Sequence, residues 1–418
     1  MARFVYVIGT ADTKLDELVW LKSCLHSAGV DSHIIDVSTV AQDALNGNSK
    51  IDIFSTQVAD YHPEGGAAVF CNERGRAVSA MSVALTCFLR STADEISALI
   101  GIGGSGGTAL ITAAMQSMPI GMPKLMVSTM ASGNVEAYVG GVDIAMMYTV
   151  TDLSGLNYLT RTILANAANM IGGAVNYAIA PERAQKPVLG LTMFGVTTPC
   201  ISLLMAALHD RFDPLVFHAT GQGGASMERL VESGDIVGVL DMTLTETADL
   251  LFGGVLACPD TRLDSIAKTE VPWVGSAGAL DMVNFSGLES IPERYAQRQF
   301  VEHNAQVTLM RTTPEENYQL GVWIGGKLNL CNGPVCFIIP EGGFSALDAP
   351  GQPFFNPQAR LAFAEGLEST LVQTARRQIV KTPLHINSPE FVALVLAEFT
   401  SVMQHQATPH HLLPGNPL

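Results

Sequence analysis

The chain reads IGIGGSGGT from Ile100 to Thr108, between an apolar, strand-like run that begins at Ile96 and a helix-like run from Ala109 to Met118. The five glycines of this stretch let the backbone turn sharply and aim several N–H groups at one place. The helix that follows adds unpaired amides and the positive end of its dipole. We therefore predict a strand–loop–helix unit of an α/β fold whose loop binds an anion, with a tight junction that binds nothing as the alternative. The predicted ligand-binding residues of this loop are Gly103, Gly104, Ser105, Gly106, Gly107 and Thr108.

The glycine loop matches neither common phosphate-binding motif. A Walker loop has a lysine before its Ser or Thr, whereas Thr108 directly follows Gly107. Gly101, Gly103 and Gly106 satisfy the Gly-x-Gly-x-x-Gly spacing. However, the loop lies about a hundred residues into the chain, and no acidic residue follows about 20 positions later to hold a ribose. The sequence thus favours a mononucleotide or phosphorylated metabolite over NAD.

Composition excludes several classes of protein. The 418 residues carry a net charge of −16, which argues against nucleic acid as a partner, because binding its backbone requires Lys and Arg. Seven scattered cysteines without a CxxC pair predict neither a disulfide framework nor a metal site. No apolar run reaches the roughly 18 residues of a membrane span, and the first strand begins at Phe4 without a signal peptide. We expect a cytoplasmic protein that binds no membrane.

Hydropathy suggests that the chain associates with copies of itself. Only 15% of its residues are charged, and its mean hydropathy is +0.27. A chain with so few charged residues and so high a mean hydropathy is expected to bury apolar area between subunits. We predict a homodimer or a higher homo-oligomer.

Alternating strand-like and helix-like runs restart after a proline-rich segment at 180–187. Because 418 residues exceed what a single core usually supports, two domains are expected. We predict domains at 1–180 and 187–418, each a Rossmann-like, doubly wound and mainly parallel sheet, with a cleft between them. The second half is predicted to include strands at Gln306–Met310 and Lys381–Ile386.

Polar residues after the first predicted strand are candidates for the other side of a phosphate site. These residues are Gly9, Thr10, Asp12, Thr13 and Lys14. The hydroxyls and Lys14 are predicted to contact phosphate oxygens, and Asp12 to hold Mg²⁺ directly or through water. Capping of the next helix by Asp12 or Thr13 is an alternative that is compatible with phosphate contact. Asp36, near the end of the second strand, is a candidate ribose ligand or a chance placement, and Ser132 is predicted to line the same crevice.

The second half carries histidines and carboxylates at predicted strand ends and helix starts, together with a second glycine turn at Gly221–Gly224. Converging groups of this kind can transfer protons or bind a metal, although a structural hydrogen bond is the alternative for each one alone. We predict a second ligand site here, for a small acidic metabolite. Its candidate catalytic residues are His218, Asp241, Asp281, Glu315 and His385.

Taken together, these segments resemble the UPF0261 family, which is related to the N-terminal part of the tomato mosaic virus resistance protein. The resemblance implies two Rossmann-like subdomains, a dimer, and an ATP site in the first subdomain, on the glycine loop and the Gly9–Lys14 turn. It implies no reaction. The matching segments are Gly9–Lys14, Gly101–Thr108, His218–Gly224, Gly278–Phe285, Arg311–Glu316 and His385–Asn387.

The leading hypothesis is therefore an ATP-binding protein, with Mg²⁺, that acts as an ATP-dependent enzyme on a small acidic metabolite. Two alternatives stay open. One is a nucleotide-regulated binding or assembly protein without turnover. The other is an ATP-independent sugar-acid enzyme that uses His218, Asp241 and His385 and has a regulatory nucleotide site.

Overall fold

A computed structural model of the chain describes residues 3–40, 48–71, 73–179, 185–304 and 306–406. The chain divides into two compact units, Met1–Pro181 and Glu182–Leu418. Each unit is built on a parallel sheet with a buried apolar layer on both faces. The predicted α/β class with two Rossmann-like subdomains is confirmed. Residues 180–184 of the predicted linker lie outside the described residues.

The first unit alternates strands and helices along the chain. Its elements are β1 (Phe4–Gly9), α1 (Ala11–Ser27), β2 (Ser32–Asp36), α2 (Ser55–Ala59), α3 (Arg74–Ser91), β3 (Ile96–Gly103), α4 (Ser105–Met115), β4 (Lys124–Ser128), α5 (Glu136–Val139), β5 (Ile144–Tyr148) and α6 (Tyr158–Asn176). The five strands are parallel and lie in the order β2-β1-β3-β4-β5.

Apolar residues fill both sides of the central strands in this unit. In β1, Tyr6 and Ile8 pack into one apolar layer, whereas Val5 and Val7 pack into the layer on the other face. Burial on both faces explains why β1 reads as a continuous apolar run, as strands of parallel sheets commonly do. Gly9 and Gly103 end the neighbouring strands β1 and β3 at the same edge of the sheet.

The second unit has a larger set of elements. They are β6 (Val188–Met193), α7 (Thr198–Leu208), β7 (Asp213–His218), α8 (Gln222–Glu232), β8 (Ile236–Thr243), α9 (Thr245–Phe252), α10 (Asp264–Thr269), β9 (Trp273–Gly278), β10 (Met282–Phe285), β11 (Phe300–Asn304), β12 (Val307–Arg311), α11 (Pro314–Asn329), β13 (Val335–Pro340), α12 (Pro357–Thr370), β14 (Arg377–Thr382) and α13 (Pro389–Gln406). Six strands form a parallel sheet in the order β14-β13-β9-β8-β6-β7.

Two predicted strands of this unit need correction. Gln306–Met310 corresponds to β12, which belongs to a separate antiparallel sheet in the order β10-β12-β11. The connection from β11 to β12 spans two residues, and a parallel crossover needs a dozen or more. The last strand ends at Thr382, before the predicted Ile386, because Pro383 has no N–H for a sheet. No helix among the described residues is long and apolar enough to cross a membrane.

Candidate functional site

A cavity of about 820 Å³ lies in the first unit where β1 and β3 end. The strand order reverses between these two strands, since the chain runs from β1 outward to β2 and then returns to β3 on the other side. Ligands of open α/β sheets bind beyond the carboxyl ends of strands at this point. The residues that line the cavity are Thr10, Asp12, Thr13, Lys14, Thr39, Val40, Phe70, Cys71, Arg74, Ala77, Val78, Gly103, Gly104, Ser105, Gly106, Gly107 and Leu110.

The glycines of the loop after β3 keep space open beside this cavity. Neither Gly104 nor Gly106 has a positive φ, so their backbone conformations do not require glycine. A Cβ on Gly104 would lie 3.8 Å from its nearest neighbour, Oγ1 of Thr129, and one on Gly106 would meet nothing within 4 Å. Because neither packing nor backbone conformation requires glycine at these positions, the open space is available to a ligand.

Unpaired backbone amides lie at the start of α4. The first amide with a protein acceptor is that of Thr108, which donates to the carbonyl oxygen of Gly104 at 2.8 Å. The N–H groups of Ser105, Gly106 and Gly107 form no hydrogen bond with an acceptor in the described part of the chain. These donors and the positive end of an 11-residue helix border the cavity. Such an arrangement binds phosphate.

The turn after β1 differs, because its amides are already bonded. The N–H of Ala11 donates to Oδ1 of Asp36 at 2.9 Å, and that of Asp12 donates to Oγ of Ser38 at 3.1 Å. The predicted capping by Asp12 or Thr13 is wrong: α1 begins at Ala11, after an N-cap at Thr10 without a side-chain capping bond. This turn therefore offers side chains to the cavity and no backbone N–H cradle.

Three side chains of this turn are suited to a nucleotide with its cation. The hydroxyls of Thr10 and Thr13 lie 3.0 Å apart at the cavity wall. Oδ1 of Asp12 is buried and has no hydrogen-bond partner, so a cation would satisfy it. The described residues contain no cluster of three metal-ligating side chains. A Mg²⁺ ion here would thus rely on Asp12 and on phosphate oxygens, as Mg²⁺ commonly does.

Lys14 borders the same cavity, but its ammonium is already bonded. Its Nζ donates to the carbonyl oxygen of Leu153 at 2.9 Å. An ammonium has three donors, so a phosphate contact can be added to this bond. Lys14 also has a non-helical conformation within α1, with φ −135° and ψ 22°.

Three predicted contacts of this site need correction. Asp36 is 1% exposed, and its Oδ1 accepts bonds from Ala11 and Ser38, so it fixes the turn after β1 and is not among the residues that line the cavity. The hydroxyl of Thr108 is buried 2.6 Å from that of Ser128, where it ties β4 to α4. Ser132 is exposed in the loop after β4 and does not line the cavity.

Sequence reasoning missed the wall that α3 and the residues before it provide. Phe70, Arg74 and Val78 line the cavity, and Arg74 is the first residue of α3. The guanidinium of Arg74 has no partner among the described residues and is exposed. The local sequence around Arg74 offers only a basic residue as a signal, and nothing local shows that α3 lies beside the end of β3.

The second glycine turn is a packing feature. A Cβ on Gly223 would lie 1.8 Å from the carbonyl oxygen of His218. The N–H of Gly221, which has a φ of +78°, donates to Oε2 of Glu246. Glycine is therefore required here by close contacts and backbone conformation, unlike at Gly104 and Gly106.

The predicted catalytic role of Asp241 is corrected, because its carboxylate is buried in an ion cluster. Nη2 of Arg262 donates to both of its oxygens, at 2.9 and 2.8 Å, and Thr192 donates to Oδ1 at 2.7 Å. Arg262 also pairs with Glu228 at 2.7 Å and Glu246 at 2.6 Å. Burial alone lowers the pKa of Arg262, but the three carboxylates raise that pKa well above its ordinary value. All four side chains of the cluster are buried, so Asp241 is not accessible to a substrate.

Asp281 and His385 are connected through Ser345. Oγ of Ser345 donates to Oδ2 of Asp281 at 2.7 Å, and Oδ1 of Asp281 is buried without a partner. Nε2 of His385 bonds to the carbonyl oxygen of Ser345 at 3.0 Å, and its Nδ1 accepts from Asn387 at 3.1 Å. Burial raises the pKa of Asp281, an effect that Arg311 opposes. This group joins the loops after β9, β13 and β14.

The remaining two candidates lie apart from that group. Glu315 is exposed in the first turn of α11, where an acidic residue complements the helix dipole. His218 is the last residue of β7, an edge strand. Among the described residues, hydrogen bonds connect only Asp281 and His385 of the five candidates, through Ser345. The predicted convergence of all five residues is not observed.

Comparison with known proteins gives matches to both units. The N-terminal domain of the uncharacterised protein family UPF0261 matches residues 3–180, and the C-terminal domain of that family matches residues 186–403. A UPF0261 protein of Rhizobium meliloti is 51% identical over 95% of this chain and 98% of its own length. A UPF0261 protein of Clostridium tetani is 39% identical over 97% of this chain and 100% of its own length.

A plant protein is similar over nearly the same span. The ToMV resistance protein Tm-1(GCR237) of Solanum lycopersicum is 41% identical over 95% of this chain, which covers 55% of the tomato protein. Among solved structures, a C2-type ketoreductase from a modular polyketide synthase is 10% identical, with a TM-score of 0.22 over 96% of this chain. A TM-score this low supports no inference about the fold or function of this chain.

Proposed function

The chain belongs to the UPF0261 family, and we propose that its first unit is a nucleotide-binding unit that holds ATP with Mg²⁺ where β1 and β3 end. One observation carries this proposal. The unpaired amides of Ser105, Gly106 and Gly107 lie beside glycines whose missing side chains leave the space open. This supplies phosphate donors without a Walker lysine.

Each part of the cavity wall has a role in this proposal. The amides at the start of α4 hold the phosphates, Arg74 and Lys14 neutralise their charge, and Asp12 contributes an oxygen to Mg²⁺. Phe70, Val78 and Leu110 supply apolar surface for the base. A cavity of about 820 Å³ falls within the range of sites that hold ligands of this size.

The direct test is calorimetry of Mg-ATP binding to the full chain and to Gly106→Val. Because a Cβ at Gly106 would meet no protein atom within 4 Å, the variant should fold, with an unchanged circular dichroism spectrum, and should lose ATP binding. Gly173→Val is a matched control, since Gly173 lies in α6 and a Cβ there also meets nothing within 4 Å. Wild-type affinity in Gly106→Val would refute the assignment.

Binding without turnover is the function that the second unit supports best. Asp241 is enclosed by Arg262, and Asp281 is fully buried, so these predicted acid–base groups have no access to a substrate. A nucleotide-regulated binding or assembly role fits this arrangement. It is also in line with the tomato relative, whose name describes a resistance protein.

An ATP-dependent enzyme acting on a small acidic metabolite is the second candidate, favoured by His385, a half-buried imidazole that Ser345 and Asn387 hold at a strand end. Incubation with Mg-ATP and a metabolite pool, followed by assay for ADP, AMP and new phosphorylated species, separates the two functions. Unchanged nucleotide supports binding alone. Turnover that His385→Ala abolishes, with ATP affinity intact, supports the enzyme.

A further inference from the structure

The second unit has a cavity of its own, of about 290 Å³, at the carboxyl ends of β6 and β7. The chain runs from β6 to β7 at the sheet edge and then returns to β8 on the other side of β6. The strand order therefore reverses between β6 and β8, as it does between β1 and β3 in the first unit. The antiparallel strands β11 and β12 provide the opposite wall. The cavity thus lies where a doubly wound sheet commonly holds a ligand.

The lining of this cavity excludes a phosphorylated or polyanionic ligand. Its apolar side chains are Phe194, Val196, Leu256, Val307 and Leu309. Among the described residues that line the cavity there is no Lys, Arg, Asp or Glu. A highly charged ligand would lose its hydration here without gaining an opposite charge.

Polar groups at the rim offer hydrogen bonds to a ligand. The ring of His218 packs edge-on against Phe194, with centroids 5.3 Å apart and planes at 86°. Although the residue as a whole is exposed, desolvation of its imidazole lowers the pKa of His218. The ring is therefore neutral at pH 7.5, with one donor and one acceptor nitrogen. Neither nitrogen has a hydrogen-bond partner within the described part of the chain. Thr220 adds a hydroxyl to the lining, and His303 and Asn304 of β11 add an imidazole and a carboxamide.

We propose that this cavity binds a neutral, mainly apolar small molecule built on a single aromatic ring, with one polar group that bonds to His218. The volume is at the lower end for small-molecule sites, which limits the ligand to about one substituted ring. The rings of Phe194 and His218 favour an aromatic partner through edge and face contacts. This site goes beyond the nucleotide proposal and does not depend on it.

The experiment uses a pair of probes of matched shape, 4-methylbenzamide and 4-methylbenzoate, which differ in charge. Binding to the full chain at pH 7.5 is followed by saturation-transfer NMR and by the Cε1–H resonance of His218. We expect the amide to bind and to shift that resonance. The benzoate should bind at least about tenfold more weakly, since no Lys or Arg among the described lining residues replaces its hydration.

Two variants locate the site. Val307→Trp fills the cavity and should weaken amide binding at least about tenfold. Val237→Trp is its matched control and should bind like the wild type, because Val237 is 37% exposed near the amino end of β8. His218→Phe keeps an aromatic ring and removes both nitrogens, so it should weaken binding of the amide but not of p-xylene.

Circular dichroism checks that each variant is folded. If Val307→Trp does not fold, binding to His218→Phe tests the proposal. Tighter binding of the benzoate than of the amide would overturn the proposal. So would the absence of amide binding at about 10 mM, which is a weak-binding limit, or equal amide binding by the wild type and His218→Phe. No nucleotide is present in any arm, so failure here leaves the ATP proposal untouched.

Discussion

A Cβ on Gly224 would lie 2.2 Å from Oε1 of Glu246 and 2.6 Å from Nε of Arg262, whereas one on Gly106 would meet nothing. Glycine thus occurs at these two positions for different physical reasons. At Gly224 it lets a buried ion cluster approach the backbone, and at Gly106 it leaves space beside unpaired amides. Sequence alone shows both turns as glycine-rich, so only the neighbouring atoms distinguish packing from ligand binding.

Arg74 is the side chain whose replacement best tests the phosphate end of the proposed nucleotide site. It lines the cavity, and a guanidinium bonds phosphate oxygens in pairs. Arg74→Ala should lower ATP affinity about tenfold or more, the size of one charge-assisted hydrogen bond. Arg74→Lys should recover part of this loss, because it keeps the charge and loses the paired geometry.

Calorimetry with ATP, ADP and AMP checks this expectation. The loss in Arg74→Ala should be larger for ATP than for AMP if Arg74 bonds the terminal phosphates. Equal losses for all three nucleotides would place Arg74 near the base or ribose. Unchanged affinities would exclude it from the site.

Elements whose signals are local were predictable. The run from β3 through the glycine loop to α4 carries an apolar strand, glycines and a helix within about 20 residues, a span that short-range patterns can resolve. The antiparallel pairing of β12 depends on β10 and β11, which local pattern does not reveal. Asp241 was misread for a similar reason, since the arginine that buries it, Arg262, comes 21 residues later. Sequence located the glycine loop, but tertiary packing decides which polar groups stay free.

Helix α9 carries a buried acid that should make stability depend on pH. Burial raises the pKa of Asp249 from 3.8 to about 7, although Asn284 and Leu256 donate hydrogen bonds to its carboxylate. The folded state therefore holds the proton more tightly than the unfolded state. The contribution of Asp249 to stability is largest below the unfolded pKa and declines as the pH rises toward 7.

Urea unfolding at a series of pH values measures this effect. Between pH 5 and pH 8 the free energy of unfolding should lose roughly 3 kcal/mol through Asp249, at 1.36 kcal/mol per pKa unit. Asp249→Asn resembles the protonated acid, so its pH dependence over this range should be flatter. Parallel curves for the two proteins would show that Asp249 does not change its protonation in this range.

The two units share a strand order but differ in the chemistry at the corresponding point. When the strands of each parallel sheet are numbered in chain order, both sheets begin with the order 2-1-3-4-5, and the second sheet adds a sixth strand. The first unit places free amides, Lys14 and Arg74 near its reversal point, whereas the second places apolar side chains and His218 there. The fold therefore determines where a ligand can lie, and the loop residues determine which ligand it is.

Self-association is the prediction that concerns the whole molecule. Copies that each carry a charge of −16 repel one another, so an interface between them must rely on apolar contact. Large side chains at the two ends of α6 are exposed, Tyr158 and Tyr177 at 84% each and nearby Ile179 at 92%. Added salt shortens the Debye length, which is about 8 Å at 0.15 M, and should strengthen association.

Light scattering after size exclusion should give a mass near twice 44.4 kDa, with more dimer at higher salt. Tyr158→Ser combined with Tyr177→Ser should shift the protein toward monomer, because the variant removes apolar area and keeps the charge. Tyr61→Ser, at a site that is 42% exposed in the same unit, is the control. A monomer mass at every salt concentration would contradict self-association. A dimer that the double variant leaves intact would place the interface elsewhere.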